Sequence, residues 1–173
     1  HEIILQVPME PFDYPDNDPG PLTLTHSNPE DKNIELLHQS MARMTNYTGI
    51  MNYLGGRMLS DAGSLEPVMR DIGQRGLLFL DDGSAAQSLS ASYAKAFNMP
   101  HAFADVVLDE EVNKKAILTK LDELERIALR KGTAIGTASA FDESVDAVAE
   151  WVKEASGRGI EIVGVSALAE VPN

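Results

Sequence analysis

The chain has 173 residues, 43% of them apolar, and no cysteine; this suits a globular protein with its own core and excludes disulfide staples, thiolate metal sites and a cysteine nucleophile. Acidic residues outnumber basic ones by 27 to 14, and the formal charge of -13, offset by no Lys/Arg stripe with interleaved aromatics, argues against a nucleic-acid partner. No apolar run approaches the length needed to cross a bilayer.

The chain opens at His1-Glu2-Ile3-Ile4-Leu5, already inside a strand pattern, so the natural start and any targeting signal are expected to lie outside this sequence. From there short apolar runs alternate with longer stretches of helical period. The expected strands are Ile3–Val7, Thr48–Tyr53, Leu77–Leu80, Ala104–Leu108, Thr133–Gly136 and Ile160–Val165. Several are continuously apolar, as strands covered by helices on both faces are.

The expected helices are Lys32–Met44, Leu65–Gln74, Ala85–Phe97, Asn113–Arg130 and Glu143–Ser156. Ile34, Leu37 and Met41 form one apolar stripe, and Ile117, Leu121 and Leu124 form another. Pro67 falls in a first helical turn, and Asp82 or Ser84 is the expected cap of the Ala85–Phe97 helix. Arg75-Gly76, Lys131-Gly132 and Arg158-Gly159 each pair a basic residue with a helix-closing glycine ahead of a strand, and Trp151 is expected at a helix–sheet seam.

Between the first strand and the first helix, residues 8–29 contain six prolines and no regular period. Such a stiff loop at a strand's carboxyl end suits the rim of a site. The alternation fits one parallel α/β domain over residues 1–173, as a doubly wound sheet or as an incomplete barrel.

Ligands of parallel α/β folds bind beyond the carboxyl ends of the strands. That rule selects Gln6 and Glu10, Asn52 and Arg57, Asp81-Asp82-Gly83-Ser84, Asp105, and Asp109. Adjacent strand-end carboxylates such as Asp81 and Asp82 point in opposite directions, so one can face a cleft while the other caps a turn. Glu10 stands between Pro8 and Pro11, which restrict the backbone around it. Of the four histidines only His26, in the proline-rich loop, is expected near the site; His1 and His101 precede strands and His38 lies in a helix. Dinucleotide and phosphate-loop glycine motifs are missing, as is a Gly-x-Ser-x-Gly elbow.

Pro8-Met9-Glu10-Pro11, Asp18-Pro19-Gly20, Asn52-Tyr53-Leu54-Gly55-Gly56, Asp81-Asp82-Gly83-Ser84, Asp105 to Asp109, and Gly132 to Gly136 together resemble the divergent polysaccharide deacetylase family. The resemblance implies a distorted (β/α) barrel of about seven strands whose first strand or strands are missing from this chain, making the domain N-terminally incomplete. It also implies metal-assisted removal of acetyl groups from N-acetylated sugars, a hydrolysis of non-peptide C–N bonds with a divalent zinc, magnesium or manganese ion. Gln6 and Glu10 would take the metal positions, Asp81, Asp82 and Asp105 the catalytic ones, and Asn52, Arg57 and Ser84 would bind substrate. The implied partner is a saccharide or cell-envelope glycan, and the implied setting is extracytoplasmic.

The chain departs from that pattern where imidazoles are expected, with Gln6, Tyr53 and Thr137 in their places. Ala104 and Gly83 replace basic residues. The departures open a second expectation, a noncatalytic saccharide-binding or envelope-associated protein on the same scaffold.

Overall fold

The structure is a computed structural model and describes residues 1–172. Within the span expected to be one domain, two compact units separate: His1–Ala102 with the residues from Ala169 on, and Phe103–Leu168.

In the first unit, β1 (Ile4–Met9), β2 (Gly49–Leu54), β3 (Leu78–Asp81) and β4 (His101–Phe103) form one sheet in the order β1-β2-β3-β4. The β1–β2 and β2–β3 pairs are parallel, with Ile4 opposite Gly49 and Gly49 opposite Leu78. Helices α1 (Glu30–Met41), α2 (Gly56–Ser60), α3 (Ala62–Gln74) and α4 (Ser90–Ala96) supply the connections. Leu65, Val68, Met69 and Ile72 put one stripe of α3 wholly in the core, against Val7, Met9, Ile50 and Phe79 of the sheet. Gly76 closes α3 at φ 71, in the left-handed region that glycine enters without strain.

The proline-rich loop is ordered by its return onto β1. Leu24 N donates to Pro8 O and Glu10 N donates to Leu24 O, each at 2.9 Å, so Leu24 forms a parallel bridge with Met9. Leu24 is fully buried, and this apolar anchor fixes where the loop ends.

The second unit contains β5 (Val106–Val107) paired in parallel with β6 (Gly136–Thr137), and helices α5 (Lys114–Lys131) and α6 (Asp142–Ala155). Asn113 caps α5 by accepting from Ala116 N, and Gly132 closes it at φ 94. Trp151 shares one buried cluster with Ile117, Leu121 and Ala147 of the helices and Val106 of β5, the helix–sheet seam expected for it. The Arg158 guanidinium lies 5.5 Å from the Trp151 ring centroid.

Parallel α/β alternation is thus observed, with local corrections. Of the expected strand Ala104–Leu108 only Val106–Val107 is strand, as β5, with the unexpected β4 at His101–Phe103 before it, and Thr133–Gly136 shifts to the two-residue β6. Ile160–Val165 forms no strand: it is irregular up to a 3-10 turn at Val165–Ala167, with Ile162 and Val163 exposed. A strand needs a partner edge for its amides, and among the described residues this run pairs with no strand. Gly159 accordingly follows a 3-10 turn and leads into no strand.

Helix α1 begins two residues early and stops at Met41, with Pro29 at the cap position. Gly55, at φ 103, precedes the short α2, which Gly56 and Arg57 open. Helix α3 starts at Ala62 on an Asp61 cap, so Pro67 lies beyond its first turn. Helix α4 starts only at Ser90 with Leu89 before it, and neither Asp82 nor Ser84 caps it. Asp82 instead accepts from the amide and hydroxyl of Ser84, closing a local turn.

Candidate functional site

The polar groups that converge at a strand end lie in the first unit, where β1 runs into Glu10. The Glu10 backbone oxygen accepts the amides of Arg57 and Met58, seating it on the start of α2. Its side chain is buried, at 6% residue exposure, and meets His26 from the returning loop. His26 N donates to Oε2 at 2.6 Å, and Nδ1 stands 2.9 Å from Oε1 and 2.8 Å from Oε2. With the carboxylate as acceptor, Nδ1 carries a proton, and in the neutral form of the ring Nε2 holds the lone pair. The His26 side chain is 37% exposed.

Asp61 and Ser64 stand on the other side of His26. Ser64 Oγ lies 2.8 Å from Asp61 Oδ1 and 3.2 Å from His26 O. The Ser64 hydroxyl and amide hold the Asp61 carboxyl below its ordinary pKa against a small burial effect, and the nearby His26 and Arg57 add to the lowering. The Arg57 residue is exposed at the head of α2. Together these residues place a buried carboxylate, an oriented imidazole, a second carboxylate and a cation at one rim.

The other expected site residues have different surroundings. Asp81 is fully buried and accepts from Gly83 N at 2.9 Å, Ser88 Oγ at 2.5 Å and Ser90 Oγ at 2.6 Å. Asn52, also fully buried, donates to Leu54 O at 2.6 Å and accepts from Asp82 N at 3.0 Å. It ties the ends of β2 and β3 together and supports Leu54, whose φ of 58 a leucine seldom adopts. Asp82 is partly exposed and Ser84 exposed, on the turn after β3.

Gln6 is exposed, with Nε2 3.9 Å from Met51 Sδ, whereas Glu10 is buried beside His26. Asp105 belongs to the second unit, where Lys131 Nζ lies 2.7 Å from Oδ1 and Ile135 N donates to Oδ2 at 3.0 Å. Asp109 likewise accepts from Ser139 N and Ser144 Oγ. That unit also holds an apolar cavity of about 620 Å³ lined by Leu121, Leu124, Trp151, Ile160 and Leu168, and none of the expected site residues lines it.

A divalent ion calls for several converging oxygen or nitrogen donors. Glu10 turns both oxygens toward His26, Gln6 lies apart in exposure, and no group of three or more His, Asp or Glu residues among those described is placed to hold an ion. The donor set of this chain does not fit the ion that the resemblance implies. His26 was anticipated near the site; Asp61 and Ser64 beside it, and Asn33, which holds the neighbouring Thr25, carry no signal in the sequence because their partners are defined only by the folded loop.

A parallel α/β scaffold with an acid–imidazole pair on a strand-end loop is a common frame for hydrolytic and ligand-binding proteins alike. The chain belongs to the divergent polysaccharide deacetylase family, whose model matches residues 1–169. It is 24% identical over 153 residues to the uncharacterized protein YibQ of Escherichia coli (strain K12), covering 88% of this chain and 47% of YibQ. It thus spans about half the length of that curated relative. It also resembles the crystal structure of the uncharacterized protein ATU2773 from Agrobacterium tumefaciens C58, at 66% identity and a TM-score of 0.94, over 97% of this chain and 68% of the other.

Proposed function

We propose that the first unit binds an N-acetylated saccharide at the Glu10–His26 rim and that His26 serves there as the proton-transfer group of amide hydrolysis. The observation that carries this reading is the hydrogen bond from His26 Nδ1 to the buried Glu10 carboxylate, which in the neutral ring leaves Nε2 as the base. In this scheme Nε2 takes a proton from water as the water oxygen bonds to the acetyl carbon. The same proton passes to the sugar nitrogen as the C–N bond breaks, giving acetate and an amine. Arg57 stands where it can meet an anionic or carbonyl oxygen. Family membership supports the carbohydrate class of the substrate.

The proposal extends to a cell-envelope glycan as the natural partner, an extracytoplasmic setting, and the distorted barrel of about seven strands typical of the family resemblance. Among the described residues no helix is long and apolar enough to cross a membrane.

A second reading is saccharide binding without turnover. The internal engagement of Asp81 and Asp105, together with the incomplete ion-donor set, favours it. Calorimetric titration with N-acetylglucosamine oligomers, run beside an acetate-release assay, separates the two. Under the first reading wild type binds and releases acetate, while His26→Gln keeps binding and loses release by about a hundredfold. Binding without acetate release selects the second reading, and absence of binding overturns both.

A further inference from the structure

We propose that Asn33 and Ser64 are positioning residues that hold the loop at His26 in register with Glu10. This rests on the role proposed for His26. The two residues come from different helices and grip neighbouring peptide groups. The buried Asn33 side chain of α1, 2% exposed, makes a reciprocal pair with the residue before His26: Thr25 N donates to Oδ1 at 3.1 Å, and Nδ2 donates to Thr25 O at 2.8 Å. An amide side chain satisfying both polar groups of one residue acts as a short piece of sheet. Asn28 Nδ2 adds a donor to the same Oδ1 at 3.2 Å, drawing in the far side of the loop.

The next peptide is held from α3. Ser64 Oγ shares its proton between Asp61 Oδ1 and His26 O. His26 N already donates to Glu10 Oε2. The backbone N–H and C=O of both Thr25 and His26 are therefore each engaged, by Asn33, Glu10 and Ser64. Burial alone asks for the pairing of Thr25, but the hold continues onto both backbone groups of His26, whose imidazole is partly exposed. A group that transfers protons needs such a hold, because small misplacements of a base are costly to rate.

Ser64 can be altered without removing the cap of α3, since Ser64 N donates to Asp61 Oδ1 through the backbone. Ser64→Ala, Ser64→Thr and Asn33→Asp would be compared with wild type in the full chain. Asn33→Asp keeps the acceptor for Thr25 N and removes the donor to Thr25 O. The readouts are the ring nitrogen resonances of His26 by NMR, and kcat and KM for acetate release from N-acetylglucosamine oligomers. The expected result is mixed His26 tautomers in Ser64→Ala and Asn33→Asp, kcat lower by about tenfold with KM nearly constant, and recovery in Ser64→Thr.

His26 resonances unchanged in both Ser64→Ala and Asn33→Asp would overturn the inference, whatever the turnover. Altered resonances in a wild-type background that releases no acetate would uphold the positioning role while removing the hydrolytic reading. A uniform loss of melting temperature with native His26 resonances would assign the two residues to stability alone and also overturn the inference.

Discussion

Ser90 Oγ donates to Asp81 Oδ2 at 2.6 Å and stands 3.0 Å from His101 Nε2, so a hydroxyl links a buried carboxylate at the end of β3 to an imidazole at the start of β4. His101 also stacks on Phe79, with ring centroids 6.3 Å apart. Asp81 thereby acts as an interior hub for Ser88, Ser90 and the Gly83 amide. Asp81→Ala would strand these donors in a dry site and is expected to cost about 3 kcal/mol in urea unfolding. Wild-type stability in that variant would remove the hub role.

The same network sets a pH dependence. Burial holds His101 below its ordinary value of 6.5, against the opposing pull of Asp81 and Glu170. The folded chain therefore binds fewer protons there than the unfolded chain, and stability falls as pH drops below about 6.5 toward the folded value. Above about 6.5 this contribution is complete and flat. Urea midpoints from pH 5 to pH 8 should show the slope in wild type and lose it in His101→Gln. The lowered Asp61 acts in a separate window, below its ordinary 3.8, where its contribution is lost on acidification.

Metal titration should give no stoichiometric heat with zinc, magnesium or manganese for this chain, because Glu10 turns both oxygens toward His26 and the remaining donors do not gather. Saturable one-to-one uptake that disappears in Glu10→Gln would show that the pair opens to an ion.

Gly49→Ala tests the packing of β2 on β3. A Cβ at Gly49 would lie 2.7 Å from the Leu78 backbone oxygen, and that atom belongs to the sheet and cannot rotate away. Overpacking of this kind costs about 1–3 kcal/mol. The expected outcome is a lowered melting temperature with glycan affinity retained; a neutral change would mean that the strands separate more easily than their register suggests.

How far the sequence carries to the fold depends on what each segment needs. Leu78-Phe79-Leu80 is a strand because an apolar run buried on both faces has few other solutions, and all four residues of β3 are indeed buried. Ile160–Val165 is also rich in β-branched apolar residues, though broken by Glu161 and Gly164, and a strand needs an edge to pair with, which composition cannot supply. The α4 boundary failed for a local reason: Asp82 and Ser84 have cap chemistry but spend it on each other. At the site, the prolines around Glu10 mark it in the sequence. His26 lies 16 positions away and Ser64 a further 38 from His26, so their meeting depends on the loop's return along β1.

That return has a consequence beyond chemistry. Leu24 occupies hydrogen-bonding groups on the outer edge of β1, at Pro8 O and Glu10 N, which would otherwise offer a ready template for a foreign strand. Shortening residues 12–23 would uncover this edge while leaving α1, α3 and most of the core in place. Such a deletion is expected to fail first in solubility, through sheet-to-sheet self-association, before it fails in folding.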